Sequence, residues 1–171
     1  MRIRRLVIED AQAYWETRNL GLKEFPDAFT TSVEEGLAIA PSMLARRFGV
    51  HGADGSDDFV LGAFADDGVL IGYAGFQRES RQKNRHKGTL VGMYVLPQFR
   101  GTGLGKKLLL TLMGEVRELG DMEQLNLSVT HSNTDARQLY LRAAFVSFGV
   151  EKNAIKVNGR YYDKEHMVLV L

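Results

Sequence analysis

The chain has 171 residues, a formal net charge of +1 and no cysteine. The near-neutral balance leaves no global field that would draw nucleic acid or an acidic membrane, and the missing thiols exclude disulfides, thiolate metal sites and a cysteine nucleophile. Hydrophobic residues make up 44% and charged residues 25%, an ordinary globular composition with enough length for one domain over 1–171. No apolar run reaches membrane-spanning length and the N-terminus lacks a signal-peptide core, so a cytoplasmic protein is expected.

In chain order, Met1 to Val7 alternates and predicts a first strand. Glu9-Asp10 opens a helix with Ala11, Tyr14, Trp15, Arg18 and Leu22 on or near one face. Lys23 to Phe29 is a loop carrying two aromatics, Phe25 and Phe29. Ser32 with Glu35 forms a capping box, and a second helical region runs to about Phe48, with Pro41 as its break point. Phe59–Ala65 and Val69–Gln77 are paired strands around the tight turn Asp66-Asp67-Gly68. Arg78 to Lys87 is a basic connection, expected to be a solvated loop. Leu90–Leu96 is a strand stopped by Pro97, which has no N–H for a ladder. An amphipathic helix from Leu104 ends at Gly120. Leu125–Thr130 alternates strictly, Asn133–Ala144 is a helix, and the last two β segments turn at Asn158-Gly159. The order is β-α-α-β-β-β-α-β-α-β-β, an α/β mixed sheet with flanking helices.

The stretch Met93 to Lys106 carries the chemistry. Gly101, Gly103 and Gly105 lead from a strand into a helix. A glycine loop opening a helix turns backbone N–H groups outward and adds the positive end of the helix dipole, which suits phosphate. A Walker A loop is rejected because Lys107, not Ser or Thr, follows Gly105-Lys106. A Rossmann fingerprint is rejected because the glycines alternate. What fits is Arg-x-x-Gly-x-Gly from Arg100 to Gly105, preceded by Met-Tyr-Val-x-Pro. This resembles the coenzyme A loop of the GNAT superfamily of acyl-CoA N-acyltransferases. The element order is also that superfamily's order. A second stretch, Asn133 to Phe145, is similar to its Asn-x-x-Ala-x-x-Leu-Tyr-x-Lys-x-Gly-Phe helix, with Arg142 in place of lysine and Ala144 in place of glycine.

The resemblance implies an N-acetyltransferase that moves an acetyl group from acetyl-CoA to a primary amine by direct attack in a ternary complex, without a metal. It implies that Met93, Tyr94 and Val95 pair with the pantetheine arm. Arg100, Gly101, Thr102, Gly103, Leu104, Gly105 and Lys106 would hold the diphosphate, and Asn133, Tyr140 and Arg142 would complete the cofactor site. Asn133 and Tyr140 are seven positions apart and share a helix face. Tyr140 is the expected acid for the leaving thiolate, since a tyrosine of ordinary pKa is protonated at neutral pH. Many relatives have a glutamate base about where Thr89 stands; here either water relays the proton or another group acts, His131 being the best alternative and His86, Glu79, Asp163, Glu165 and His166 weaker ones. Relatives build the amine pocket from the loop after the first helix and from the last hairpin. That makes Glu24, Asp27, Asp163 and Glu165 candidates for greeting a cationic amine, and Phe25, Phe29, Tyr161 and Tyr162 candidates for its walls. A small amine or a protein amino group are both open as acceptors. The family also suggests a homodimer, through the C-terminal hairpin. Two rival readings are a non-catalytic acyl-CoA sensor on the same fold and a nucleic-acid module using Arg78–Lys87.

Overall fold

The computed structural model describes residues 1–48 and 57–171. Its frame is a seven-stranded sheet in the order β1-β2-β3-β4-β5-β7-β6. The strands are β1 (Arg2–Arg5), β2 (Phe59–Phe64), β3 (Leu70–Arg78), β4 (Lys87–Val95), β5 (Gln124–Thr130), β6 (Val146–Val157) and β7 (Arg160–Val170). Every neighbouring pair is antiparallel except β4 and β5, which run parallel. The helices are α1 (Ala11–Glu24), α2 (Val33–Ala38), α3 (Pro41–Leu44), α4 (Leu104–Glu118) and α5 (Thr134–Arg142). The expected mixed α/β sheet is what forms.

Local chemistry explains the boundaries. Ser32 Oγ accepts from Glu35 N–H at 3.1 Å while Glu35 Oε2 accepts from Ser32 N–H at 2.8 Å, so the capping box closes. The second helical region is not continuous: Pro41 lacks the N–H that would extend α2, and it begins the separate turn α3. The last hairpin turns through Asn158 at φ 49° and Gly159 at φ 80°, the two left-handed residues of a type I′ turn. The basic connection is not simply solvated. Arg78 is held at 2.6 Å from Asp57 and 2.5 Å from Asp121, and its Nε donates to the Arg85 carbonyl.

Two cores lie on the two faces of the sheet. On one, α4 and α5 pack Leu108, Leu112, Val116 and Tyr140 against Leu61, Ile71, Leu127 and Met167. On the other, Tyr14 of α1 joins Phe48, Val60, Tyr73 and Tyr94. Strands β2 and β3 are buried on both faces, which is why they read as continuous apolar runs.

Candidate active site

The site begins where the sheet splits. Strand β4 pairs with β5 only through Lys87–Thr89 against Gln124–Asn126. Beyond Thr89 the two strands have no ladder between them, although β4 continues to Val95 and β5 to Thr130. Gly92, at φ 61°, sits in the irregular stretch of β4 where its register on β3 shifts. A cavity of about 360 Å³ fills the gap, lined by Thr89–Met93 and Ser128–Thr130 and by Asn133, Ala136 and Tyr140 from α5. It reaches Tyr14, Arg18 and Tyr73 in the core on the opposite face. The cavity therefore passes through the divided sheet.

The glycine loop adjoins the cavity through Met93, since a side-chain carbon on Gly105 would lie 3.5 Å from Met93 Cε. Gly101 and Gly103 have φ of 74° and 84°, which glycine adopts without strain. A side-chain carbon at either would meet nothing within 4 Å, so the backbone is open to a bulky ligand. Gly103 is the N-cap of α4 and no side chain caps the helix; Thr102 Oγ1 turns back to the Phe99 carbonyl at 2.7 Å. The first intrahelical bond runs from Lys107 N–H to the Gly103 carbonyl, leaving the amides of Leu104, Gly105 and Lys106 as free donors at the positive end of the dipole. Lys106 and Arg142 line one groove of about 430 Å³ between α4 and α5, together with Gly103, Asp135, Gln138 and Leu139. These residues fit a diphosphate with an elongated attachment: bare amides, two cations and unpaired strand edges leading to the cavity.

Arg100 does not join them. Its guanidinium grips Glu24 with bonds of 2.5 and 2.7 Å, donates to the Val95 carbonyl at 2.9 Å, and lies 5.0 Å from the Phe25 ring centre. Tyr94 also donates to Glu24, at 2.7 Å. Arg100 and Glu24, expected at the diphosphate and at the amine, are paired with each other here, tying α1 to the end of β4. The Arg100 hydrogen bonds hold the Glu24 carboxyl below its usual range.

Tyr140 comes into place from α5. It is buried, and its hydroxyl lies 3.9 Å from Met93 Sδ, a weak acceptor. Burial pushes its pKa up to about 12, so it remains a proton donor. Asn133 Oδ1 caps α5 by accepting from Ala136 N–H at 3.2 Å, which leaves its amide N–H groups as donors at the cavity.

His131 is not brought to the cavity. Its side chain is 63% exposed at the end of β5, with Nδ1 3.7 Å from Glu165. The acidic residues expected around the amine are engaged elsewhere. Glu165 is buried against Arg137 at 2.6 Å, Asp163 pairs with Lys152 at 2.8 Å, and Asp27 accepts from Ser132 Oγ at 3.2 Å. Of the expected wall residues, Phe29 lines the large cavity. Phe25 lines a smaller one of about 230 Å³ beside Asn133. Tyr162 lies under Arg160 at 5.2 Å and Tyr161 under Lys156 at 4.9 Å, on the hairpin surface. Reading the sequence missed Tyr14, Arg18, Tyr73 and Lys164 as cavity residues. The available signal was Tyr14, Arg18 and Leu22 at intervals of four, a cation set into the buried stripe of α1.

The whole fold matches solved structures. One is an acetyltransferase of the GNAT family from Streptococcus pneumoniae, at 21% identity and a TM-score of 0.88, with 99% of each chain covered. A putative acetyltransferase from Salmonella typhimurium, solved with its cofactor acetyl-CoA, matches at 26% identity and 0.79, covering 100% of this chain and 94% of that one. A GNAT superfamily phosphinothricin acetyltransferase from Sinorhizobium meliloti, in complex with acetyl-CoA, matches at 24% and 0.81, covering 99% and 88%. The model of the acetyltransferase (GNAT) family matches residues 14–145, a span that holds both the glycine loop and Tyr140. With that span, the divided sheet and the bare helix end in agreement, this chain belongs to the GNAT acetyltransferase family.

Proposed function

We propose that this acetyltransferase moves the acetyl group of acetyl-CoA directly onto a primary amine, with both substrates bound at once in the cavity between β4 and β5. The observation that carries the reading is the continuity of that cavity from Tyr140 and Met93 to a polar end beside α1. An acetyl donor entering along the strand edges and an acceptor held at the polar end would meet inside it, and such positioning supplies several kcal/mol of the barrier reduction.

In the reaction the amine nitrogen attacks the thioester carbonyl carbon, the N–C bond forms and the C–S bond breaks. Tyr140 gives its hydroxyl proton to the departing sulfur, and the proton lost by the amine passes to water, from which Tyr140 is reprotonated. The free amides of Leu104, Gly105 and Lys106 would hold the diphosphate, and Asn133 would donate to the pantetheine chain. The edge of β4 around Met93, Tyr94 and Val95 would supply donors for the thioester oxygen as it gains charge. Thr89 lines the cavity and cannot serve as a carboxylate base, so the amine would arrive neutral. We further propose a homodimer through β6, whose outer position leaves Val146 and Phe148 64% and 63% exposed.

The deciding experiment is an amine panel with acetyl-CoA, read by thiol release. Acceptor-dependent thiol release is expected. Binding of coenzyme A without turnover of any acceptor would instead make the protein an acyl-CoA sensor.

A further inference from the structure

We propose that the acceptor is a small zwitterion: its amine takes the acetyl group while an oxyanion on the same molecule, a carboxylate or phosphonate, sits at Arg18. This rests on the acceptor reading above and narrows its substrate class.

Arg18 lies on α1 at 7% exposure and lines the cavity. Its Nη2 donates to Thr31 Oγ1 at 3.2 Å, and Nη1 has no hydrogen-bond partner among the described residues. No carboxylate pairs with it among the described residues. Nη1 lies toward Gly36 of α2, near Asn19 Oδ1, which also lacks a partner among the described residues. A buried guanidinium is costly without a counter-charge, and none is found among the described residues, so its cavity-lining position suits an anion.

The neighbours suit the same guest. Tyr14 and Tyr73 line the cavity at 4% and 1% exposure with rings 4.9 Å apart, and neither hydroxyl has a hydrogen-bond partner among the described residues. Burial raises both pKa values, so both groups are neutral O–H donors. Arg47 and Lys164 face the cavity too, the latter bonded to Thr30 Oγ1 at 2.8 Å. The charges of Arg18 and Arg47 are felt at the Tyr14 hydroxyl, where both act to lower its pKa against burial. Against these three cations, Asp58 is the sole carboxylate lining the cavity among the described residues, and its Oδ1 already accepts from Arg78 N–H at 2.8 Å. A polyamine would bring more positive charge to this end. A zwitterion brings an oxyanion that two hydroxyls and a guanidinium can bind, through charge-assisted hydrogen bonds. The volume of about 360 Å³ suits a small molecule rather than a folded protein's surface.

The test compares α-amino acids and 1-aminoalkylphosphonates with the same amines lacking the acid group, and with spermidine and a lysine peptide, by thiol release from acetyl-CoA. The best zwitterion should exceed its acid-free counterpart in kcat/KM by about 10²-fold or more, because a site built to bond a polar group rejects the analogue without it. In Arg18→Gln that ratio should fall at least about tenfold, mainly through KM of the zwitterion. Whichever oxyanion gives the larger ratio identifies the one bound. Spermidine or the peptide outperforming every zwitterion, or an unchanged ratio in folded Arg18→Gln, would overturn the proposal. If Arg18→Gln does not fold, Arg18→Lys and Lys164→Gln carry the same comparison. If no amine is turned over, the acetyl-transfer reading fails, and calorimetry with N-acetyl-amino acids in the presence of coenzyme A still decides this one. Binding that is lost on changing Arg18 supports it, and no binding refutes it.

Discussion

The Tyr140 hydroxyl rests 3.9 Å from the Met93 sulfur, joining α5 to β4 across the slot where the sheet has no ladder. A thioether is a poor acceptor, so the proton is held loosely and a better acceptor arriving between the two residues would take the bond. Tyr140→Phe removes the donor and keeps the ring against Phe145, whose centre is 5.9 Å away. Turnover should fall by roughly 10²–10⁴-fold, in kcat and kcat/KM together, while the rise in melting temperature with coenzyme A stays. Near wild-type kcat, with chemistry rate-limiting, would assign the proton to water.

The bare start of α4 gives a binding prediction. Gly103 stands at φ 84° with open space around it, so Gly103→Ala meets no protein atom. The strained backbone should cost about 1–2 kcal/mol of stability. The larger effect should be loss of the coenzyme A-induced melting shift, because the methyl group occupies space the diphosphate needs. An undiminished shift in the folded variant would remove the glycine loop from the site.

Ala144 predicts an easy gain. It ends α5 at φ 69°, a left-handed position that costs an alanine energy and a glycine almost none. Ala144→Gly should raise stability by about 1 kcal/mol in chemical denaturation, with kcat unchanged. A loss of stability would mean that the added chain entropy of glycine outweighs the relieved strain.

Acid sensitivity should draw on several depressed carboxylates, Asp10 paired with Arg4 among them, and two of them tie distant elements together. Hydrogen bonds from Arg137 hold Glu165 below its ordinary pKa, and those from Arg100 do the same for Glu24. A depressed carboxylate stabilises the fold fully above its unfolded pKa of about 4.3, and the contribution vanishes as pH falls through the lower folded value. The melting temperature should therefore be flat above about pH 5 on this account and drop below it. In Arg137→Gln the drop should begin at higher pH, since Glu165 would be buried without its partner. An unmoved acid limb would show that Glu165 does not govern it.

Light scattering should give twice the chain mass, and Phe148→Glu on the outer strand should give the single-chain mass. A concentration-independent monomer in the wild type would dismiss the dimer.

Much of this was legible in local sequence. Strand, proline, glycines and helix between Met93 and Lys106 follow from backbone chemistry within a few residues. So do the capping box at Ser32 and the turn at Asn158-Gly159. What could not be read were pairings between distant residues. Glu24 meets Arg100 and Asp27 meets Ser132 only once the sheet has formed, and composition alone made those acids look available. The polar end of the cavity was hidden for the same reason. Arg18 is separated from Tyr73 by most of the N-terminal half, and that no carboxylate among the described residues pairs with it is a property of the packed core, not of its neighbours in sequence.

A seven-stranded sheet ordinarily has two borders. The parting of β4 and β5 after Thr89 gives this one four, two of them inside the protein between α5 and the loop after α1. Outer borders are a hazard, because any extended chain can add to them. Inner borders are screened from such chains by Tyr140 and Asn133 on one side and Thr30 and Thr31 on the other. They keep the hydrogen-bonding appetite of an edge strand while admitting only something thin enough to thread the cleft. On the proposed reading, recognition of the donor's arm by these main-chain atoms would need little from the side chains along it. Substitutions along these borders would then leave the grip on the donor intact.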